Sequence, residues 1–231
     1  MDINFSDLIV YEDEYFVVVN KPCGIPTQPD KTGDLSLEEI ANTHYRKELA
    51  NATYTVGLIH RLDRPVGGLL ILSKDRRVLV KFNDMMQKNE IKKRYRAVCN
   101  GRSEELTGTY TDYMKKLKTT SMSKIVSKEV SGSKKAELLY KCIKTDTSTE
   151  EILSLFEIEL ITGRHHQIRV QMSHHKNPIW GDTKYNRVYK RKGYSCIALY
   201  SAKLSFKHPI NNKLIDLELA LPNQFPFELF R

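Results

Sequence analysis

One acid set among basic groups is the strongest candidate for chemistry in this chain. The run Gly57-Leu58-Ile59-His60-Arg61-Leu62-Asp63-Arg64-Pro65-Val66-Gly67-Gly68-Leu69-Leu70-Ile71-Leu72 has apolar ends and, at its middle, a carboxylate between two arginines beside a histidine. A positive charge a few ångströms away favours the ionised form of a carboxylate. Arg61 and Arg64 would therefore keep Asp63 charged at neutral pH, ready to act as a nucleophile or a base. Leu69 to Leu72 form a short apolar run before Ser73-Lys74-Asp75, the pattern of a buried strand closed by a turn. Asp63 thus stands on irregular chain entering a rigid strand, where a sheet can hold a reactive group in place. Pro65 restricts the backbone of Arg64, and Gly67-Gly68 permit close approaches that other residues do not. Taken alone, an Arg-Leu-Asp-Arg segment is more often a solvated ion-pair cluster than a catalytic one.

Two further segments change that balance. Lys92-Lys93-Arg94-Tyr95-Arg96-Ala97-Val98-Cys99-Asn100-Gly101 is a basic, strand-like stretch carrying one tyrosine. Thr162-Gly163-Arg164-His165-His166-Gln167-Ile168-Arg169-Val170-Gln171 is followed by Asn177-Pro178-Ile179-Trp180-Gly181-Asp182. With the Asp63 run, these resemble, in order, the three motifs of the RluA-type family of RNA pseudouridine synthases. The resemblance extends from about Ile9 to Pro222 and includes Val19-Asn20-Lys21-Pro22-Cys23-Gly24, similar to the segment that opens the family's catalytic domain.

The resemblance implies an enzyme that detaches uracil from C1′ of its ribose, turns it and rejoins it through C5, with no cofactor and no metal. Asp63 matches the family's essential aspartate. Three courses stay open to it: attack at C1′, attack at C6 of the base, or removal of the 2′ proton. Arg169 matches the arginine that pairs with that aspartate, and a guanidinium is suited to orient a carboxylate bidentately. Tyr95 matches the tyrosine that packs against the target base. A uridine in structured RNA must leave its stack before a side chain reaches C1′, and Arg61 matches the residue that fills the vacated space. His60 is expected to support the loop by hydrogen bonding, and Arg64, Arg164, Lys93 and Arg94 are assigned to RNA binding. Asp182 is read as structural, and Lys21 either as structural, the preferred reading, or as facing the RNA backbone. The sequence departs from the family at Val66-Gly67, His165 and Tyr200, none of which removes a catalytic group.

The elements that must position these residues can be read from periodicity. Residues 8–11 and 15–20 form a hairpin across Glu12-Asp13-Glu14. Residues 34–49 give an amphipathic helix with Ser36 as cap, and 76–89 a second one capped by Asp75. The stretch 91–101 is a strand with Tyr95 and Ala97 on one face and Arg94 and Arg96 on the other. Residues 110–114 are a strand, and 115–135, rich in Lys, Ser and Thr, read as a mobile segment that buries little, either a solvated linker or a basic arm that orders on RNA. Residues 136–144 pair with 154–161, 165–175 form a short helix, and 196–206 pair with 213–221. Strands outnumber helices and follow one another through short turns, so the class is α+β with a mainly antiparallel sheet. The family fold agrees: a long mixed sheet flanked by helices, with an RNA-binding cleft. The expectation is one catalytic domain over 1–231, a monomer, without the small N-terminal RNA-binding domain that many relatives carry.

Composition fits this reading. The 231 residues carry 37 Lys and Arg against 28 Asp and Glu, a net charge of +9 that suits a polyanionic partner. The excess is concentrated, with nine basic residues against three acids from Lys74 to Arg96. No apolar run reaches the length of a membrane span, and an acidic N-terminus argues against a leader, so a cytoplasmic location is expected. Cys23, Cys99, Cys142 and Cys196, scattered and without a Cys-x-x-Cys pair, read as reduced thiols. Three other readings compete: a non-catalytic RNA-binding protein on the same fold, a basic DNA-binding protein, and a metallohydrolase built on His165, His166, His174 and His175. The last is disfavoured because adjacent helical histidines point to different sides.

Overall fold

Phe16, Val17, Val18 and Val19 are fully buried, as are Leu69, Leu70, Ile71 and Leu72, and the two runs lie side by side as antiparallel strands in register Val18 to Ile71. The computed structural model describes residues 3–190 and 196–231. In chain order its elements are β1 (Ile9–Glu12), β2 (Phe16–Lys21), α1 (Leu37–Glu48), β3 (Gly57–Leu58), β4 (Gly67–Ser73), α2 (Arg76–Gln87) and β5 (Lys92–Asn100). There follow β6 (Thr107–Lys116), β7 (Ser123–Val126), β8 (Lys134–Asp146), β9 (Leu153–Leu160), α3 (Gln167–His174), β10 (Leu199–Lys207) and β11 (Leu214–Glu218). This is the α+β class read from the sequence. The chain forms two units, Met1–Ile91 with Lys203–Leu219, and Lys92–Ala202 with Ala220–Arg231.

In the first unit β1 pairs with β2, β2 and β3 pair with β4, and β10 pairs with β11, all antiparallel. Phe16, Val18, Leu69 and Ile71 on the sheet meet Val78, Phe82 and Met85 of α2, with Leu204 and Phe206 of β10. Both helices start where the sequence places a cap. Ser36 accepts from Glu39 N while Glu39 reaches back to Ser36 N, a complete capping box. Asp75 accepts from Arg77 N and Val78 N. Removing the first cap with Ser36→Ala should cost about 1 kcal/mol, read by urea unfolding.

The second unit is a run of antiparallel neighbours in the order β5, β9, β8, β6, β7. Here one sequence expectation is corrected. The 115–135 segment is not an unstructured arm: β6 continues to Lys116, and β7 turns back on it in the register Tyr113 to Val126 and Lys116 to Ser123. The reason is Ile125, which packs against the cluster of Met114, Ala136 and Val170. A second correction concerns the cysteines. Cys99 and Cys142 are buried free thiols, but Cys23 and Cys196 are disulfide-bonded, something that spacing along a chain does not report. Among the described residues no helix is long and apolar enough to cross a membrane.

Candidate active site

Asp63 lies four residues before β4, in the half-buried stretch between buried Leu62 and buried Val66. The loop is pinned on both sides. Thr27 Oγ1 donates to Leu62 O at 2.8 Å and accepts from Leu62 N at 3.2 Å, while Val66 N donates to Asp63 O at 3.0 Å in a tight turn. His60 Nε2 accepts from Ile71 N at 3.3 Å, which ties it to β4. Arg61 is exposed and donates to Gln28 Oε1 at 3.0 Å.

Arg64 turns toward residues 24–34. Its Nε donates to Gly24 O at 2.9 Å, Nη1 to Thr32 Oγ1 at 2.9 Å, and Nη2 to the Asp34 carboxylate. This guanidinium holds the Asp34 carboxyl below its usual range. A cation on which the Asp63 charge acts is Lys21, which the sequence placed as structural in preference to facing the RNA backbone. Lys21 ends β2, is fully buried, and donates to Pro22 O at 2.9 Å, Ile25 O at 2.8 Å and Arg64 O at 3.5 Å. It therefore ties the Asp63 loop to the Lys-Pro-x-Gly loop. Burial pushes its ammonium from 10.5 down to about 7, against the upward pull of the Asp63 charge.

That shift has a stability consequence. Between about pH 7 and pH 10 the unfolded chain keeps a proton on Lys21 that the folded chain releases. The unfolded state then binds more protons, so stability rises with pH across this window. One proton contributes a slope of up to about 1.4 kcal/mol per pH unit. Lys21→Met should remove that share of the slope, seen as a smaller gain in urea-unfolding free energy between pH 7 and pH 9. An identical gain in both proteins would refute it.

In the second unit Tyr95 lies on β5 opposite Ile158 of β9 and is 6% exposed. Lys93 shares its face by strand alternation and is half-buried, which draws its ammonium downward. Arg94 and Arg96 alternate to the other face, as expected. Each is ion-paired to the residue directly across the ladder, Arg94 Nε to Glu159 at 3.0 Å and Arg96 to Glu157. The basic character of this strand is thus balanced by its neighbour. Arg164 precedes α3, is exposed, and donates from Nε to Lys135 O at 2.8 Å.

Arg169, on α3, is 3% exposed and makes a bidentate pair with Asp182, Nε to Oδ2 at 2.7 Å and Nη2 to Oδ1 at 2.8 Å. Asp182 is itself fully buried and also accepts from Lys184 N and Tyr185 N through Oδ1. Gly181 beside it has φ +78, a conformation that glycine enters without strain. The structural part of Asp182 is thus to hold Arg169, thirteen positions before it in the same motif. The guanidinium carbon lies 5.2 Å from the Tyr185 ring. The Tyr185 hydroxyl accepts from Ser123 N at 2.8 Å and lies 2.7 Å from His166 Nδ1. Burial, then the Arg169 and His165 charges, drive His166 down to about 2, so it stays neutral.

Comparisons with known proteins agree on one class. A family model described as RNA pseudouridylate synthase matches residues 15–174. An RNA pseudouridine synthase of Bacillus subtilis is 30% identical over 93% of this chain and 68% of its own length. A ribosomal large subunit pseudouridine synthase C of Rickettsia bellii is 30% identical over 95% of this chain and 70% of that protein. A tRNA pseudouridine synthase C of Vibrio parahaemolyticus is 29% identical over 92% and 89%. Among solved structures, human RNA pseudouridylate synthase domain containing 4 shares the fold with a TM-score of 0.77 at 21% identity, covering 97% of this chain and 92% of that one. The chain belongs to the RNA pseudouridylate synthase family, RluA type, and is an RNA pseudouridine synthase, an isomerase.

Proposed function

We propose that the chain converts a specific uridine of structured RNA to pseudouridine, with ribosomal RNA preferred to transfer RNA, and that it acts as a monomer and a single catalytic domain. Asp63 is the group that opens the glycosidic bond, Arg169 orients it, and Tyr95 receives the extruded base. Arg61, His60, Arg64, Arg164, Lys93 and Arg94 serve the substrate. The observation that carries this reading is the Asp63 loop itself. It is a half-buried carboxylate on chain held at Leu62, Val66 and Lys21, within the family match. The preference for ribosomal RNA rests on the large-subunit names of relatives from two Rickettsia species and Buchnera at 28–30% identity.

The test uses ribosomal and transfer RNA from cells lacking the gene, incubated with the protein and mapped for pseudouridine by carbodiimide chemistry. A new site in ribosomal RNA is the expected result. A new site confined to transfer RNA would overturn the preference, and RNA binding with no new site would return the protein to the non-catalytic reading. Tyr95→Ala should weaken productive base placement by roughly 1–3 kcal/mol, the usual worth of a stacked base, measured as kcat/KM on the mapped RNA.

A further inference from the structure

Adjacent histidines were expected to diverge, yet His174 and His175 converge on Asp112. One ligand atom from each lies within 4.8 Å of the others. The expectation assumed a continuous helix, whereas His174 is the last residue of α3 and His175 is already outside it, with φ −89 and ψ 28. The third member comes from β6, a different element. Two of the three groups are held in place. The His175 ring stacks on Tyr110 with centroids 3.8 Å apart at 7°, and its Nε2 lies 3.1 Å from Asp112 Oδ2. Asp112 Oδ2 also accepts from Gln171 Nε2 at 2.7 Å. Gln171 is fully buried, and its Oε1 has no hydrogen-bond partner. His174 is exposed, its ring edge-on to that of His175 with centroids 5.0 Å apart.

We propose that Asp112, His174 and His175 form a binding site for one divalent transition-metal ion of the zinc class. Two imidazoles and one carboxylate are a zinc donor set, with ligand distances near 2.0–2.2 Å. A tetrahedral ion at those distances sets its ligand atoms about 3.3 Å apart, close to the 3.1 Å already present between His175 and Asp112. The ion replaces the proton on His175 Nε2, leaving the ring proton on Nδ1, and His174 closes inward to complete three protein ligands. Water takes the fourth position. Gln171 is the partner that orients the ligating carboxylate. A cation here also faces the C-terminal end of α3, where the helix dipole favours positive charge. The site fastens the end of α3 to β6. It takes no part in the uridine chemistry.

The test uses the full chain without a histidine tag, stripped with a chelator and then dialysed free of it. Zinc is titrated by calorimetry, and cobalt by its visible spectrum, which reports tetrahedral coordination. One equivalent of zinc is expected to bind and, at a hundred times its Kd, to raise the melting temperature by about 5–11 °C. His174→Ala should weaken binding at least tenfold and leave the metal-free melting temperature within about 1 °C, because His174 is exposed. Absence of zinc binding to the wild-type chain overturns the proposal. So does equal affinity in wild type, His174→Ala and Asp112→Asn, which would place the ion on other histidines.

Discussion

Asp63→Asn is expected to lower pseudouridine formation at least about a thousandfold while RNA binding survives. Asparagine keeps the shape of the side chain, and the bonds that hold this loop come from its neighbours: Thr27 with Leu62, Val66 N with the Asp63 carbonyl, and Ile71 N with His60. The loop should therefore keep its conformation and lose only a charge that no neutral group can replace as nucleophile or base. The same substitution carries a second, less usual sign. Loss of a catalytic acid often stabilises a fold, because active sites store unfavourable charge. Here the Asp63 charge supports the buried Lys21 ammonium, whose pKa sits at about 7 even with that help. Without it the pKa falls further, so Asp63→Asn should be less stable than wild type at pH 6, where Lys21 carries its proton. The gap should shrink at pH 9, where the folded amine is neutral. Single-turnover assays on the mapped RNA and urea unfolding at the two pH values check both halves. Residual activity near wild type would remove Asp63 from the chemistry, and a variant more stable than wild type at pH 6 would refute its pairing with Lys21.

What could be read from the sequence was whatever is decided locally. The Ser36 and Asp75 caps, the helical spacing of Val78, Phe82 and Met85, and the alternation of Tyr95 against Arg94 are settled within a few residues. The structure repeats each of them. Features decided by distant chain were harder to see. The pairing of β7 with β6 turns on Ile125 finding Met114 and Val170, and a Lys- and Ser-rich composition hid it. Arg94 and Arg96 advertised a basic strand because the acids that pair with them, Glu159 and Glu157, come from β9. Lys21 belongs to the same class: its carbonyl acceptors include Arg64 O, 43 positions away. In the candidate site, residue identities were legible, but the partners that set each group's charge and orientation were not.

Asp182→Asn is expected to be the most destabilising single change in the second unit, at about 3–5 kcal/mol. Arg169 and Asp182 are 3% and 0% exposed and meet through two hydrogen bonds of 2.7 and 2.8 Å. Asparagine presents one oxygen and one amide in place of two charged oxygens, so a buried guanidinium loses this carboxylate and faces a competing donor. For a chain of this size the loss corresponds to a fall of roughly 6–20 °C in melting temperature. Replacing both members by apolar residues removes both charges together, so Arg169→Met with Asp182→Leu should recover part of the stability. Recovery stays incomplete, since Lys184 N and Tyr185 N also lose their acceptor. Activity separates the two roles assigned to Arg169. If the arginine only holds the fold, the double variant regains turnover along with stability. If it orients the reacting aspartate, the double variant folds and binds RNA but forms no pseudouridine, with kcat lost and KM retained. The second outcome is the one expected from the role proposed for Arg169, because apolar packing can rebuild stability but supplies no cation.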